Sequence, residues 1–160
     1  MTPLPLEFRD LLKSLNGQGV DYMLVGGWAV IHYGYTRYTG DIDFWIATTS
    51  ENADRVILAL KEFIGVAPEK RSIVELYKTI EFGMPPLRVH LMCEISGAEY
   101  EDCRKRKVMA EWDGIPVAII SFEDLMTNKK ASGRPKDIAD VKWFDKKNEN
   151  KTRAKQKKTK

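Results

Sequence analysis

Apolar positions along the chain repeat with two periods, and the changes between them mark the elements. Leu6, Leu11, Leu12 and Leu15 form one stripe at helical spacing, and Asn16-Gly17 closes it, which predicts a first helix over 5–16. The uninterrupted run Tyr22 to Val25 reads as a strand, Gly26-Gly27 as a turn, and Trp28 to Tyr33 as a short amphipathic helix broken by Gly34. Within Asp41 to Ile46 the pattern alternates. Ile42, Phe44 and Ile46 suit a core, whereas Asp41 and Asp43 project from the opposite face. An N-cap within Thr48-Thr49-Ser50 opens a helix over 51–64, with its stripe made by Ala53, Val56, Ile57, Leu60 and Phe63 or Ile64.

Gly65 to Ser72 follows neither period and reads as a loop. Val74 to Phe82 and Leu87 to Ile95 flank Gly83-Met84-Pro85-Pro86 and predict a hairpin. In its second run Val89, Leu91 and Cys93 share one face, and Arg88, His90 and Glu94 the other. Tyr100 to Arg106 reads as a short basic helix, and 107–112 with 115–119 as strands about the turn Asp113-Gly114. Ser121 starts a helix to Ala131, Gly133 caps it, and Arg134-Pro135 leads into a last helix ending near Phe144.

At 160 residues the chain suits one domain, and a hydrophobic fraction of 43% is that of a globular protein with a core. No N-terminal run has the length or apolarity of a signal peptide or membrane span. Cys93 and Cys103 lack metal-site spacing, so free thiols and a cytoplasmic location are expected. With His32 and His90 the only histidines, a multi-histidine metal site is not expected, and His32 reads as structural. The formal net charge of +3 hides an asymmetry: 146–160 carries eight Lys or Arg against Glu149, a net of +7, while 1–145 carries a net of −4. The expectation is therefore a folded domain over 1–145 and a disordered basic tail over 146–160. That tail is either a solvated terminus or a sequence-independent contact for RNA or DNA phosphates.

Two acids on one face of an otherwise apolar strand are destabilising unless a cation compensates them. A divalent metal beside a glycine turn that admits phosphate makes physical sense of the pair. Arg37 and Thr39 share the face of Asp41 and Asp43 by parity, if the strand already begins there. Arg37 would then neutralise a triphosphate, or hold Asp41 or Asp43 through an ion pair. Trp28 reads as core or pocket wall, with base stacking as its functional alternative.

Gly26-Gly27, thirteen residues, then Asp41-Ile42-Asp43 resembles the signature of the nucleotidyltransferase superfamily, the DNA polymerase β-like fold. The finer resemblance is to small bacterial AbiEii-related nucleotidyltransferase-domain proteins. It rests on Gly26 to Ala29, on Arg37, Thr39, Asp41 and Asp43, and on a second block from Ser121 to Lys129 with Gly133 to Asp137 and Asp140. The resemblance implies an α+β fold, a mixed sheet flanked by helices with two C-terminal helices. It also implies Asp41 and Asp43 as ligands of magnesium or manganese, and Gly26 and Gly27 as the holders of an NTP.

The same resemblance usually places a third acid where this chain has His90. Imidazole suits softer metals than magnesium, so three readings stay open: a general base near neutral pH, a changed metal preference, or lost activity. Glu81, across the predicted hairpin, could substitute for the missing acid. Lys129, Arg134 and Lys136 could approach nucleotide or acceptor phosphates or be ordinary surface bases, and Asp137 and Asp140 could simply brace the two helices. The expected activity is metal-dependent transfer of a nucleoside monophosphate from an NTP to a hydroxyl of RNA, protein or a small molecule. A toxin–antitoxin or phage-defence setting, with an antitoxin-type partner and no membrane association, goes with it. An inert nucleotide-binding or partner-binding domain is the alternative.

Overall fold

The computed structural model describes residues 3–159. Helix α1 (Leu6–Gly17) leads into β1 (Tyr22–Val25), α2 (Gly26–His32) and β2 (Asp41–Ile46). Then come α3 (Ser50–Ile64), α4 (Lys70–Val74), β3 (Ile80–Phe82), β4 (Arg88–Met92) and α5 (Tyr100–Arg104). The chain closes with β5 (Val108–Trp112), β6 (Ile115–Ile119), α6 (Phe122–Ser132) and α7 (Pro135–Lys158). One six-stranded mixed sheet runs in the order β3-β4-β2-β1-β6-β5. The α+β architecture, with two C-terminal helices, is the expected one. No helix among the described residues is long and apolar enough to cross a membrane.

The apolar runs account for the layering. All four residues of β1 are buried, because the strand is central and covered on both faces. Beside it, β2 buries Ile42, Phe44 and Ile46 completely while Asp41 and Asp43 stay half-buried on the other face. Leu11, Leu12 and Leu15 of α1 pack on α3 and β6 together with Phe8, whereas Leu6, expected in the same stripe, is exposed in the first turn, and the Ser14 hydroxyl donates to the Ala59 carbonyl at 2.9 Å. In α3 the buried stripe is Asn52, Ala53, Val56, Ala59 and Leu60, so Ile57 lies at its margin and Phe63, not Ile64, turns inward.

Asn52 ties the ends of the two central strands together. Its Oδ1 accepts from the Asp21 amide at 2.7 Å, and its Nδ2 donates to the carbonyls of Asp21 (3.0 Å) and Ala47 (2.7 Å). Asn52→Ala removes the partner of the Asp21 amide and of the Ala47 carbonyl, while the Asp21 carbonyl keeps the Ala47 amide at 3.1 Å, so a loss of about 2 kcal/mol is expected. A urea titration checks it, and an unchanged midpoint would remove Asn52 from the determinants of this fold.

Three local expectations change. Residues 70–74, divided between a predicted loop and a predicted strand, form α4, whose Ile73 is fully buried under α3. That turn shortens the hairpin to β3 and β4. The last helix does not end near Phe144: it continues to Lys158, through the stretch expected to be disordered. Lys, Glu, Gln, Arg and Ala are good helix formers, and no Gly or Pro follows Pro135 in that helix. Low hydrophobicity there reflects the absence of a packing partner, which is a different property from the absence of helix.

Candidate functional site

The site is built on the outward face of three adjacent strands. Parallel pairing of β2 with β4 sets Asp41 opposite Arg88 and Asp43 opposite His90, and antiparallel pairing of β3 with β4 sets Glu81 opposite His90. Asp43, His90 and Glu81 therefore form one row across the sheet. His90 Nδ1 lies 2.7 Å from Asp43 Oδ1, and its Nε2 lies 3.3 Å from Glu81 Oε2. Arg88 Nε donates to Asp41 Oδ1 at 2.6 Å, and its Nη1 comes within 3.9 Å of Glu81 Oε1. These contacts use Oδ1 of each aspartate.

The two aspartates differ electrostatically. Burial raises the Asp43 carboxyl above the ordinary range, against the lowering bond to His90. Asp41 is held below that range because the Arg88 hydrogen bond outweighs its slight desolvation. Lys136 lowers both from a distance.

The glycines make room for this acid face. Gly26 has a φ of +67°, and a Cβ there would overlap the Asp43 carboxylate. A Cβ on Gly27 would meet Thr39 Oγ1 at 2.7 Å. Thr39 itself is buried and donates to the Asp41 carbonyl at 3.1 Å, fixing the entry to β2. The glycine turn thus lets α2 start directly against Asp43 and Thr39.

Opposite the acids stand α6 and α7. Lys129, Asp137 and Asp140 are nearly inaccessible, and Lys129 Nζ lies 3.1 Å from Asp137 and 2.9 Å from Asp140. Arg37 grips both oxygens of Asp140 at 2.7 Å, and Arg134 Nε donates to Asp137 at 2.8 Å. Burial alone would raise the Asp137 carboxyl, but bonds from Arg134, Ser132 and Lys129 bring it down to about 2. A cavity of about 720 Å³ separates the two walls. Lys136 lines it and makes no hydrogen bond or ion pair among the described residues.

Of the residues singled out in the sequence, Gly26, Gly27, Arg37, Thr39, Asp41, Asp43, His90, Lys129, Arg134 and Lys136 all line this cavity. Trp28 does not. It is buried in the core, with Phe8 and Trp112 each 6.1 Å away between ring centroids, because its position on α2 points toward α1 and β5. Arg37 departs from its expected partners: β2 begins only at Asp41, and the irregular connection before it turns Arg37 toward α7 and Asp140. Asp137 and Asp140 do brace the C-terminal helices. His32 sits against Tyr33 and Trp112, away from the cavity. Lining residues not foreseen include Thr79, Met92, Ser96, Asn128 and Ser132. Asn128 and Ser132, spaced by one helical turn around Lys129, carried the one readable signal.

A mixed sheet with an acid pair on β2 facing a basic pair of C-terminal helices is the arrangement of a nucleotidyltransferase. Residues 7–145 match the family described as "Nucleotidyltransferase of unknown function (DUF6036)", and the chain belongs to that family. The crystal structure of a candidate nucleotidyltransferase from Thermotoga maritima has a similar fold. The TM-score is 0.58 at 18% identity, over 87% of this chain and 91% of that one. No curated protein matches the sequence.

Proposed function

We propose that the cavity binds an NTP with a divalent cation and transfers its nucleoside monophosphate to a hydroxyl acceptor. The observation that carries this reading is the opposition of two charged walls, Asp41 and Asp43 facing Arg134, Lys136 and the Lys129 network. Among the described residues no group of three or more acids, histidines and cysteines could hold a metal by itself. Two carboxylates completed by substrate phosphates and water are nonetheless a donor set that magnesium accepts. The Oδ2 atoms of Asp41 and Asp43, outside the contacts with Arg88 and His90, fit it. Magnesium or manganese bound there would neutralise phosphate charge as a Lewis acid.

In the transfer, the acceptor oxygen bonds to the α-phosphorus while the bond from that phosphorus to the β-bridging oxygen breaks. Pyrophosphate leaves, and the hydroxyl proton passes to a base. Lys136 and Arg134, at the open side of the basic wall, bind the phosphates. Lys129 and Arg37 set the field behind them through Asp137 and Asp140. Gly26, Gly27 and Thr39 shape the floor against Asp43. His90, between Asp43 and Glu81, orients Asp43. The resemblance of the Arg37–Asp43 run to AbiEii-related proteins supports a toxin–antitoxin or phage-defence setting with an antitoxin-type partner. RNA, a protein or a small molecule supplies the hydroxyl.

The second reading is an inert nucleotide-binding or partner-binding domain. Its support is that Arg88 and His90 already occupy one oxygen of each acid. Transfer from α-labelled NTPs, read alongside NTP affinity, separates the two. His90→Ala is expected to lower turnover on the order of a hundredfold with a much smaller change in affinity, because Asp43 then loses the side chain that orients it. Retained NTP binding with no transfer by wild type or by His90→Asp, which restores an acid, would decide for the inert domain.

A further inference from the structure

We infer that the acceptor is a single-stranded nucleic acid, lying along the projecting half of α7 and stacking on Tyr38 beside the cavity. The inference rests on the transfer reading only in making the strand's hydroxyl the acceptor.

Phe144 is the last buried residue of α7, and about 20 Å of helix continues beyond it at the usual rise. This segment, 146–158, holds seven Lys or Arg against Glu149, while residues 1–145 carry a net of −4. Positive charge is therefore concentrated in one place, where it attracts polyphosphate, and the acidic domain body repels it elsewhere.

The helix phase aims part of this charge toward the site. Lys147, Lys151, Lys155 and Lys158 recur at helical spacing on the face that carries Asp140 and Phe144, the face turned to the domain. The connection between α2 and β2 runs along that face. Lys147 Nζ lies 2.9 Å from where a Cβ on Gly34 would stand, and Tyr35 stacks on Trp143 with centroids 4.4 Å apart. Arg37 then grips Asp140, and Thr39 reaches the cavity. Between those two lining residues stands Tyr38, 75% exposed. A continuous path thus leads from the lysine stripe, past an exposed aromatic ring, to Asp41.

Lysines that follow a backbone, next to an aromatic face that any base can stack on, are the elements of single-strand binding. A lipid surface fits less well. Beyond Phe144 the helix has Ala154 as its one apolar residue and so no apolar face to insert.

Fluorescence anisotropy with a labelled single-stranded RNA, the DNA of the same sequence and the corresponding duplex, across a salt series, tests this on the full chain. Lys151→Glu with Lys155→Glu and Lys158→Glu should weaken single-strand binding tenfold or more and reduce the salt slope by about 2. Tyr38→Ala should weaken it about tenfold with the slope unchanged. Thermal unfolding and NTP affinity should match wild type in both variants. Similar affinity for RNA and DNA would mean that the backbone and the stack suffice, and preference for RNA would add a contact to the 2′-hydroxyl. Duplex bound as tightly as single strand, unchanged affinity and slope in the charge-reversal variant, or displacement by polyglutamate or anionic vesicles as effectively as by RNA would overturn the inference. Strand binding by a wild type that binds no NTP would overturn the transfer reading and leave this strand site standing.

Discussion

Asp41→Asn combined with Asp43→Asn is expected to abolish cation-supported NTP binding and leave the domain folded. The two amides keep the shape of the carboxylates but remove the charge that a divalent ion requires. The stability terms have opposite signs. Asp43 has a raised carboxyl in the folded chain, so its ionised form destabilises at neutral pH, an effect that appears as pH rises through the carboxylate range. Asp41 is lowered by Arg88, so it contributes stability that is present above its unfolded value and lost as pH falls through its folded one. Asp43→Asn alone should therefore raise the melting temperature, Asp41→Asn alone should lower it, and the double variant should lie near wild type. Calorimetric titration of the four NTPs with magnesium and with manganese reads the binding. An unchanged affinity and metal dependence in the double variant would sink the assignment of this face.

What the chain discloses about itself depends on how local the relevant physics is. Asp41 and Asp43 on one face of β2, and His90 with Arg88 on one face of β4, follow from alternation alone. Their pairing across the sheet does not, because β2 and β4 are parallel and joined through α3, α4 and β3, which leaves register to tertiary packing. The third member of the row, Glu81, was harder still. Residues 70–74 turned into α4, and only three residues of the first hairpin run remained to fix its register. Arg37 shows the same limit at longer range, since its carboxylate partner Asp140 lies 103 residues away.

The core position of Trp28 and the helical course of the tail have different physical causes. Trp28 follows a glycine turn that lines the cavity, yet α2 turns by about 100° per residue and carries the indole to the far side, onto Phe8 and Trp112. Beyond Phe144, composition reports only whether the segment can be buried. Whether it can be helical is a matter of propensity, and there the sequence was permissive.

Lys129→Met is expected to destabilise the protein by about 3 kcal/mol, the lower part of the range for removing one partner from a buried ion pair. The ammonium joins Asp137 and Asp140, both nearly inaccessible, so its removal leaves two buried carboxylates short of a partner. Arg134 still reaches Asp137 and Arg37 still reaches Asp140, which places the expected loss at the low end. The pH dependence carries a sign. Both carboxyls are depressed in the folded protein, Asp137 to about 2, so the stability they contribute is complete above the unfolded carboxylate value and is lost as pH falls through the folded one. The gap between wild type and Lys129→Met should thus be largest near neutral pH and shrink in acid as both carboxyls take up protons. Urea unfolding across pH distinguishes this from a role of Lys129 confined to phosphate binding. A variant as stable as wild type at neutral pH, but weak for NTP, would make Lys129 a ligand-binding residue and not a brace between α6 and α7.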